Sequence, residues 1–182
     1  HLGDNTLLDA LIADKTVFIS EWLAKYFVDK GFSGNYDIVY NGCDLNVFNP
    51  EDKIRKNKKL KVVTHHWSDN WLKGFDIYTE IDKYLSTKDE FEFTYIGRYN
   101  KTYEPVRTRL IDPLYGKALG DELRKHDIYV TASRFEPCGM HHIEGAASGL
   151  PVLFHENGGG INELCKNHGM SFNSFDDFLE KF

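Results

Sequence analysis

Residues 127–154 read DIYVTASRFEPCGMHHIEGAASGLPVLF. Two short apolar runs, 127–132 (DIYVTA) and 151–154 (PVLF), flank a helical stretch at 140–148 that Gly149 closes. Apolar runs of about four to eight residues bounded by turn residues read as buried strands. Neither run alternates with polar residues, so both faces of each strand are covered, as in a parallel sheet with helices on each side.

The alternation continues outward. Upstream, 16–20 (TVFIS) is a strand, 21–30 a helix stopped by Gly31, and 37–40 (DIVY) a strand ending in the turn pair Asn41-Gly42. Residues 44–50 read as a linker, and 60–65 as the next strand. Phe75, Tyr78, Ile81 and Leu85 then recur at helical spacing within 74–85, followed by a strand at 91–97 (FEFTYIG) and a short polar helix at 121–126. Downstream, Gly158-Gly159-Gly160 opens a helix through 162–166, and 174–181 forms a last one. The predicted fold class is α/β, a Rossmann-like parallel sheet with helices on both faces. Ligands in such sheets bind beyond the carboxyl ends of the strands, here the loops after Ser20, His65, Gly97, Ser133 and Phe154.

Composition excludes several classes. With 182 residues, 41% hydrophobic and 14% aromatic, the chain is long enough for a core and too apolar for disorder. A formal charge of -6 disfavours a nucleic-acid partner, whose footprint would be basic. No apolar run approaches the roughly 20 residues needed to span a bilayer. Three widely spaced cysteines, Cys43, Cys138 and Cys165, read as reduced thiols of a cytoplasmic protein. The basic run 53–61 (KIRKNKKLK) is either a solvated approach to a strand or a contact to phosphate or to the cytoplasmic face of a membrane. The chain starts at His1 without Met or a leader pattern, so a piece of a longer protein is expected.

The densest loop is 133–140 (SRFEPCGM). Gly139 removes side-chain bulk before the helix, leaving the backbone N–H groups of Gly139, Met140 and His141 able to face an anion. Glu136 and Glu144 are eight residues apart, about 12 Å if helical, which suits a sugar and a ribose joined by a diphosphate. The alternative is that Glu136 caps the helix and Glu144 is a surface residue. Cys138-x2-His141-His142 and Cys165-x2-His168 invite a zinc site, but a metal at Cys138 would block those amides. No Asp-x-Asp occurs, so no metal is expected on a diphosphate, and no cofactor is expected.

The run EPCGMHHIEGAASGLPV, 136–152, resembles the signature of the retaining GT-B glycosyltransferases of the large group-1 family: Glu-x7-Glu, small residues, then Gly-x-Pro-Val. Residues 158–164 (GGGINEL) are similar to the family's Gly-Gly-x-x-Glu-Leu element. Residues 41–44 (NGCD) with 48–50 (FNP) resemble its interdomain linker, and Lys73-Gly74 its Lys-Gly after the first donor-domain strand. The resemblance implies a donor-binding C-terminal half. Residues 1–50 are then the end of an N-terminal acceptor domain plus linker, and residues 51–182 the nucleotide-sugar domain.

By the same resemblance Glu136 contacts the donor sugar, Glu144 the ribose, and the amides of Gly139 and Met140 the sugar or diphosphate. Lys73 neutralises the diphosphate, and Gly158 and Gly159 lie in a turn beside it. The implied activity is metal-independent transfer from a nucleotide-sugar, UDP or GDP rather than ADP, to a glycan, lipid or small-molecule acceptor. The isolated chain is expected to be inactive without the acceptor domain. The sequence departs from the pattern where a basic Gly-Arg is usual: residues 65–70 read HHWSDN, and Arg98 is the candidate substitute. His65 and His66 either contact ligand or fill space. Tyr99, Tyr103 and 114–116 (LYG) are candidates for the base pocket. Gly145, where the family commonly has Ala, is expected to weaken its helix by up to about 1 kcal/mol. Two rivals remain: a GT-B-fold sugar-nucleotide epimerase, and a module that binds sugar nucleotide without turnover.

Overall fold

A small pair of strands precedes a large sheet. The computed structural model describes residues 4–51 and 59–182. Helix α1 (Asp4–Ile12) leads into β1 (Thr16–Phe18), α2 (Glu21–Asp29) and β2 (Tyr36–Ile38), and β1 and β2 pair in parallel. Phe18, Leu23, Ala24, Phe27 and Phe32 form a separate small core here. Helix α1 was not read from the sequence, although Leu7, Leu8, Leu11 and Ile12 lie on one side of it. Leu8, Leu11 and Ile12 stay exposed.

The large sheet contains β3 (Leu60–His66), β4 (Phe91–Gly97), β5 (Arg109–Ile111), β6 (Ile128–Thr131), β7 (Val152–His155) and β8 (Gly169–Phe172), all parallel, in the order β5-β4-β3-β6-β7-β8. Helices α3 (Phe75–Thr87), α4 (Gly116–Leu123), α5 (His141–Ala147), α6 (Ile161–Cys165) and α7 (Phe175–Lys181) cover it. Successive strand residues alternate between two cores. Val62, Phe93, Tyr95, Val130 and Leu153 pack under α3 and α7. Val63, Ile96, Tyr129, Val152 and Phe154 face α4, α6 and the linker residue Phe48. Burial of both faces explains the unbroken apolar runs.

The expected elements are present with shifted ends, and three corrections apply. The helix expected at 121–126 starts earlier, at Gly116, because Leu119 and Leu123 supply its buried face. Strands β5 and β8 were not read from sequence. Both are sheet edges with mostly exposed residues, so neither carries a hydrophobic signature. Most of the basic run 53–61 lies outside the described residues; within them, Lys59 pairs with Asp89 and Lys61 precedes the buried part of β3.

Strand order reverses between β3 and β6, whose chain neighbours run to opposite edges of the sheet. A crevice opens at such a switch point, beyond the carboxyl ends of the two strands. His65 and His66 end β3 there, and the loop 132–140 leaves β6 there.

Candidate active site

Two concavities flank the loop 133–140. One, of about 200 Å³, is walled by His65, Trp67, Leu114, Tyr115, Met140 and Glu144. The other, of about 410 Å³, contains Lys73 and Glu136. The loop itself is the partition between them.

Lys73 ends a short 3-10 turn, Trp71–Lys73, and Gly74 follows in the left-handed region at φ +97°. A Cβ at Gly74 would lie 2.2 Å from the Ala132 Cβ, so only glycine lets this turn press against the end of β6. That approach delivers the Lys73 ammonium to the Glu136 carboxylate, with which it forms an ion pair, both side chains mostly buried. An ammonium has three donors, so Lys73 can hold Glu136 and still donate to an anion.

Glu136 does not cap α5, which begins only at His141. The eight-residue spacing to Glu144 is therefore loop plus half a helix, not a continuous helical rise. Glu136 is held by its backbone instead: its N–H donates to the Gly158 carbonyl at 3.3 Å, and its own carbonyl accepts from the Gly160 N–H at 2.8 Å. Gly159, at φ +73°, makes an isolated parallel bridge to Glu136, and a Cβ there would meet the Glu136 carbonyl at 2.7 Å. The glycine turn was expected beside the diphosphate. Its Gly158 and Gly160 amides are committed to His155 and Glu136, so the turn's visible work is to hold Glu136 in place.

On the other side of the loop, the Glu144 carboxylate accepts from the His65 ring at Nε2, 2.7 Å away, both side chains nearly buried. The Tyr129 hydroxyl lies 3.1 Å from His65 Nδ1, and burial raises its pKa well above the ordinary value. Tyr129–His65–Glu144 is thus one chain of hydrogen bonds from the sheet to the cavity. Gly145 belongs to it: a Cβ there would sit 2.5 Å from the Tyr129 ring. The absent methyl makes room for Tyr129, which corrects the expectation that Gly145 only weakens the helix.

Between the two carboxylates, Met140 is exposed at the start of α5, and the N–H groups of Gly139, Met140 and His141 have no protein acceptor among the described residues. A Cβ at Gly139 would meet the His141 ring at 2.5 Å. Beneath them lies a histidine cluster. His66 and His141 rings are 4.7 Å apart, and His141 and His142 rings 5.3 Å. Burial, then neighbouring positive charge, lowers His66 and His141 well below the usual range and His142 to about 4. His66 Nε2 meets the Tyr78 hydroxyl at 2.8 Å; its ring is almost wholly buried and forms part of the floor of the smaller cavity. Among the described residues, no group of three or more His, Cys, Asp and Glu is gathered to hold a metal ion.

The candidate base-pocket residues divide. Leu114, Tyr115 and Gly116 line the smaller cavity. Tyr103 is buried in the core under α3, and Tyr99 packs edge-on against Tyr95; neither lines it. Trp67 was missed: its ring lies 4.3 Å from that of Tyr115 and forms the outer wall. Arg98 is exposed, its guanidinium 5.4 Å from the Trp67 ring centre, so it braces this aromatic wall.

The first 50 residues are tied to this site. Glu163, on α6, accepts from the backbone N–H groups of Glu21 at 2.9 Å and Trp22 at 2.5 Å, and from the Tyr40 hydroxyl at 2.8 Å. The Ser20 hydroxyl donates to the Pro137 carbonyl at 2.5 Å, and the Asn41 amide to the Cys138 carbonyl at 2.7 Å.

Comparison with known proteins decides the family. Residues 59–181 match the family described as glycosyl transferases group 1. The chain belongs to that family. A glycogen synthase of Koribacter versatilis (strain Ellin345) is 29% identical, over 76% of this chain and 36% of that protein. The granule-bound starch synthase 1 of Triticum aestivum is 22% identical, over 81% of this chain and 26% of that protein. Among solved structures, the sucrose-phosphate synthase of Thermosynechococcus elongatus superposes with a TM-score of 0.79 at 15% identity, over 96% of this chain and 49% of that one. The pneumococcal O-GlcNAc transferase GtfA, solved with UDP and GlcNAc, gives 0.67 at 15% identity over 88% of this chain and 33% of that one. This group-1 chain therefore spans about a third of the Koribacter protein and half of the synthase. The structural likenesses show the parallel α/β fold.

Proposed function

We propose that this chain is the nucleotide-sugar-binding half of a retaining, metal-independent GT-B hexosyltransferase, residues 1–50 being the end of its acceptor domain and the linker. One observation carries the reading: the Lys73–Glu136 pair on one side of the loop 133–140 and the His65–Glu144 pair on the other flank the unpaired amides of Gly139 and Met140 at the sheet's switch point. Glu144, held by His65, accepts from the ribose hydroxyls, with the nucleobase against Trp67 and Tyr115. Lys73 and the two amides hold the diphosphate, and Glu136 orients the donor sugar.

In the reaction the bond from the anomeric carbon to the diphosphate oxygen breaks, its electron pair leaving on the diphosphate. The acceptor hydroxyl oxygen forms the new bond on the face just vacated, and its proton passes to the departing diphosphate. Fixed donors at the leaving group stabilise this charge without reorganising. Lys73 fills the role a metal plays in enzymes bearing Asp-x-Asp, a pattern this sequence lacks. UDP or GDP is the favoured nucleotide. A glycan is the favoured acceptor, in keeping with what the glycogen and starch synthases among its relatives are named for. A cytoplasmic location fits three reduced cysteines. Among the described residues no helix is long and apolar enough to cross a membrane, and peripheral contact through the 53–61 run is part of the proposal.

The test is calorimetric titration of UDP, GDP and ADP into the chain and into Lys73→Ala and Glu144→Ala. One of the first two nucleotides binds most tightly, and each substitution weakens it about tenfold to a hundredfold, as expected for a lost charge-assisted bond. Unchanged affinity in both variants would refute the site. With the complete protein, release of an epimerised free sugar from donor alone would favour the epimerase instead.

A further inference from the structure

A third concavity, of about 340 Å³, lies at the opposite end of the large sheet from the candidate active site, and the donor reading makes no use of it. It sits at the amino ends of β3 and β4 and at the approaches to β5 and β6. Strand β4 outruns its edge partner there: β5 pairs only with Thr94, Tyr95 and Ile96, which leaves Phe91, Glu92 and Phe93 without a strand on their outer side. Five cations line the gap, Lys59, Lys61, Arg107, Arg109 and Lys125. Lys61 and His65 are four residues apart on β3, about 13 Å by strand rise, with Val62, Val63 and Thr64 fully buried between them. A ligand bound here is therefore distinct from one in the crevice.

The charge of these cations is only partly met. Asp89 is shared by Lys59 and by Arg107, the latter at 3.5 Å. Glu122, buried on α4, is shared by Arg109 at 3.1 Å and Lys125 at 2.6 Å. Lys61, from the basic run of the sequence, has no ion-pair partner among the described residues, and neither has Glu92, its register partner on β4. Five cations thus face three carboxylates, a surplus of two on a chain whose formal charge is -6. Each guanidinium commits one terminal nitrogen, Nη2 of Arg107 and Nη1 of Arg109. The rest of each fork, with the three donors of Lys61, is available to an anion. His126 also lines the cavity; its pKa is lowered, first by burial and then by Lys61 and Arg109, against the opposing pull of Glu122. It is uncharged at neutral pH, so the positive field belongs to the lysines and arginines.

The lining chemistry selects the ligand. Two half-used guanidinium forks beside a free ammonium suit a tetrahedral dianion, whose three terminal oxygens can meet all three groups at once; a carboxylate has only two. A nucleic-acid strand needs a track of cations, whereas this is one concave cluster on an acidic chain. The volume is that of a small-molecule site and exceeds what inorganic phosphate fills, and Thr94 and Glu92 offer partners for hydroxyl groups. We propose that this cavity binds the phosphate monoester of a small polyol, its phosphate held by Lys61, Arg107 and Arg109. The same chemistry is presented by a soluble sugar or glycerol phosphate and by the headgroup of phosphatidic acid, and the experiment separates the two sources.

The test titrates ribose 5-phosphate and glycerol 3-phosphate into the full chain by calorimetry, with ribose and glycerol as controls. Cosedimentation with phosphatidylcholine vesicles, with and without phosphatidic acid, forms the lipid arm. At least one phosphate source binds saturably, and the controls do not. Lys61→Gln weakens that binding about tenfold or more, as expected for a lost charge-assisted bond, and Lys61→Gln/Arg109→Gln abolishes it. Lys61→Arg retains most of the affinity. Thermal melts report whether the double variant folds; Lys61→Gln, which breaks no ion pair, keeps the test decisive if it does not. Lys73→Ala leaves binding at this cavity unchanged, which separates it from a phosphate in the crevice. Soluble monoesters bound without vesicle binding assign a soluble ligand, and vesicle binding that needs both phosphatidic acid and Lys61 assigns a lipid headgroup. Failure of every phosphate source at millimolar concentration overturns the proposal. So does binding that is unchanged in Lys61→Gln, or that is lost in Lys73→Ala.

Discussion

At the scale of single residues, the site depends on groups that stand behind its carboxylates. Tyr129 holds His65, His65 holds Glu144, and Gly145 leaves space for Tyr129. Gly145→Ala would normally stabilise a helix by about 1 kcal/mol. Here the added methyl overlaps the Tyr129 ring, and overpacking of this kind costs about 1–3 kcal/mol. We expect a lower urea midpoint and weaker nucleotide binding together; a higher midpoint would contradict the packing argument. Glu163 is similar in kind. Removing its charge in Glu163→Gln weakens the cap on α2 and frees Tyr40, whose hydroxyl is pushed up to about 12 chiefly by its hydrogen bond to that carboxylate. Ultraviolet titration against Glu163→Gln/Tyr40→Phe should show Tyr40 returning toward 10.

At the scale of elements, the central strands were legible and the edges were not. Strands β3, β4, β6 and β7 announce themselves because burial on both faces demands continuous apolar runs. Strands β5 and β8 are specified by their neighbours: Thr94, Tyr95 and Ile96 pair with Arg109, Leu110 and Ile111, and Val152–His155 with Gly169–Phe172. Entry to β5 is governed by Asp82 on α3, whose carboxylate accepts from the N–H groups of Val106, Arg107 and Thr108 and from the Thr108 hydroxyl, at 2.6–2.8 Å. Burial would raise its pKa, but these bonds outweigh burial and lower it. Its contribution is therefore present above the ordinary aspartate range and lost as pH falls through the lowered value. Asp82→Asn should cost roughly 2–3 kcal/mol in denaturant melts, a loss centred on β5 and the preceding loop in hydrogen exchange.

At the scale of the whole molecule, the histidines packed behind the site make the fold acid-sensitive. His66, His141 and His142 are held below the ordinary value near 6.5, chiefly by burial. The unfolded chain thus takes up protons first. Stability is full above about pH 6.5 and declines as pH falls, for His142 toward about 4. A shift of that size is on the order of 3 kcal/mol for His142 alone. Among the described residues neither buried His142 ring nitrogen has a partner, so His142→Leu should flatten the acid limb without loss at neutral pH. Urea midpoints measured from pH 8 to 5 check this; an unchanged slope would remove His142 from the explanation.

The sequence by itself determined the sheet's interior strands, the parallel class and the residues worth watching, Glu136, Glu144 and Lys73 among them. Those features are local, set by hydrophobic period, turn glycines and motif spacing. Only the tertiary structure decided how they meet. The Lys73–Glu136 pair spans 63 residues and the His65–Glu144 bond 79. The Trp22–Phe135 ring contact joins α2 to the loop after β6. Contacts between segments so far apart follow from strand order, and strand order is settled by the packing of the whole sheet rather than by any window of the chain.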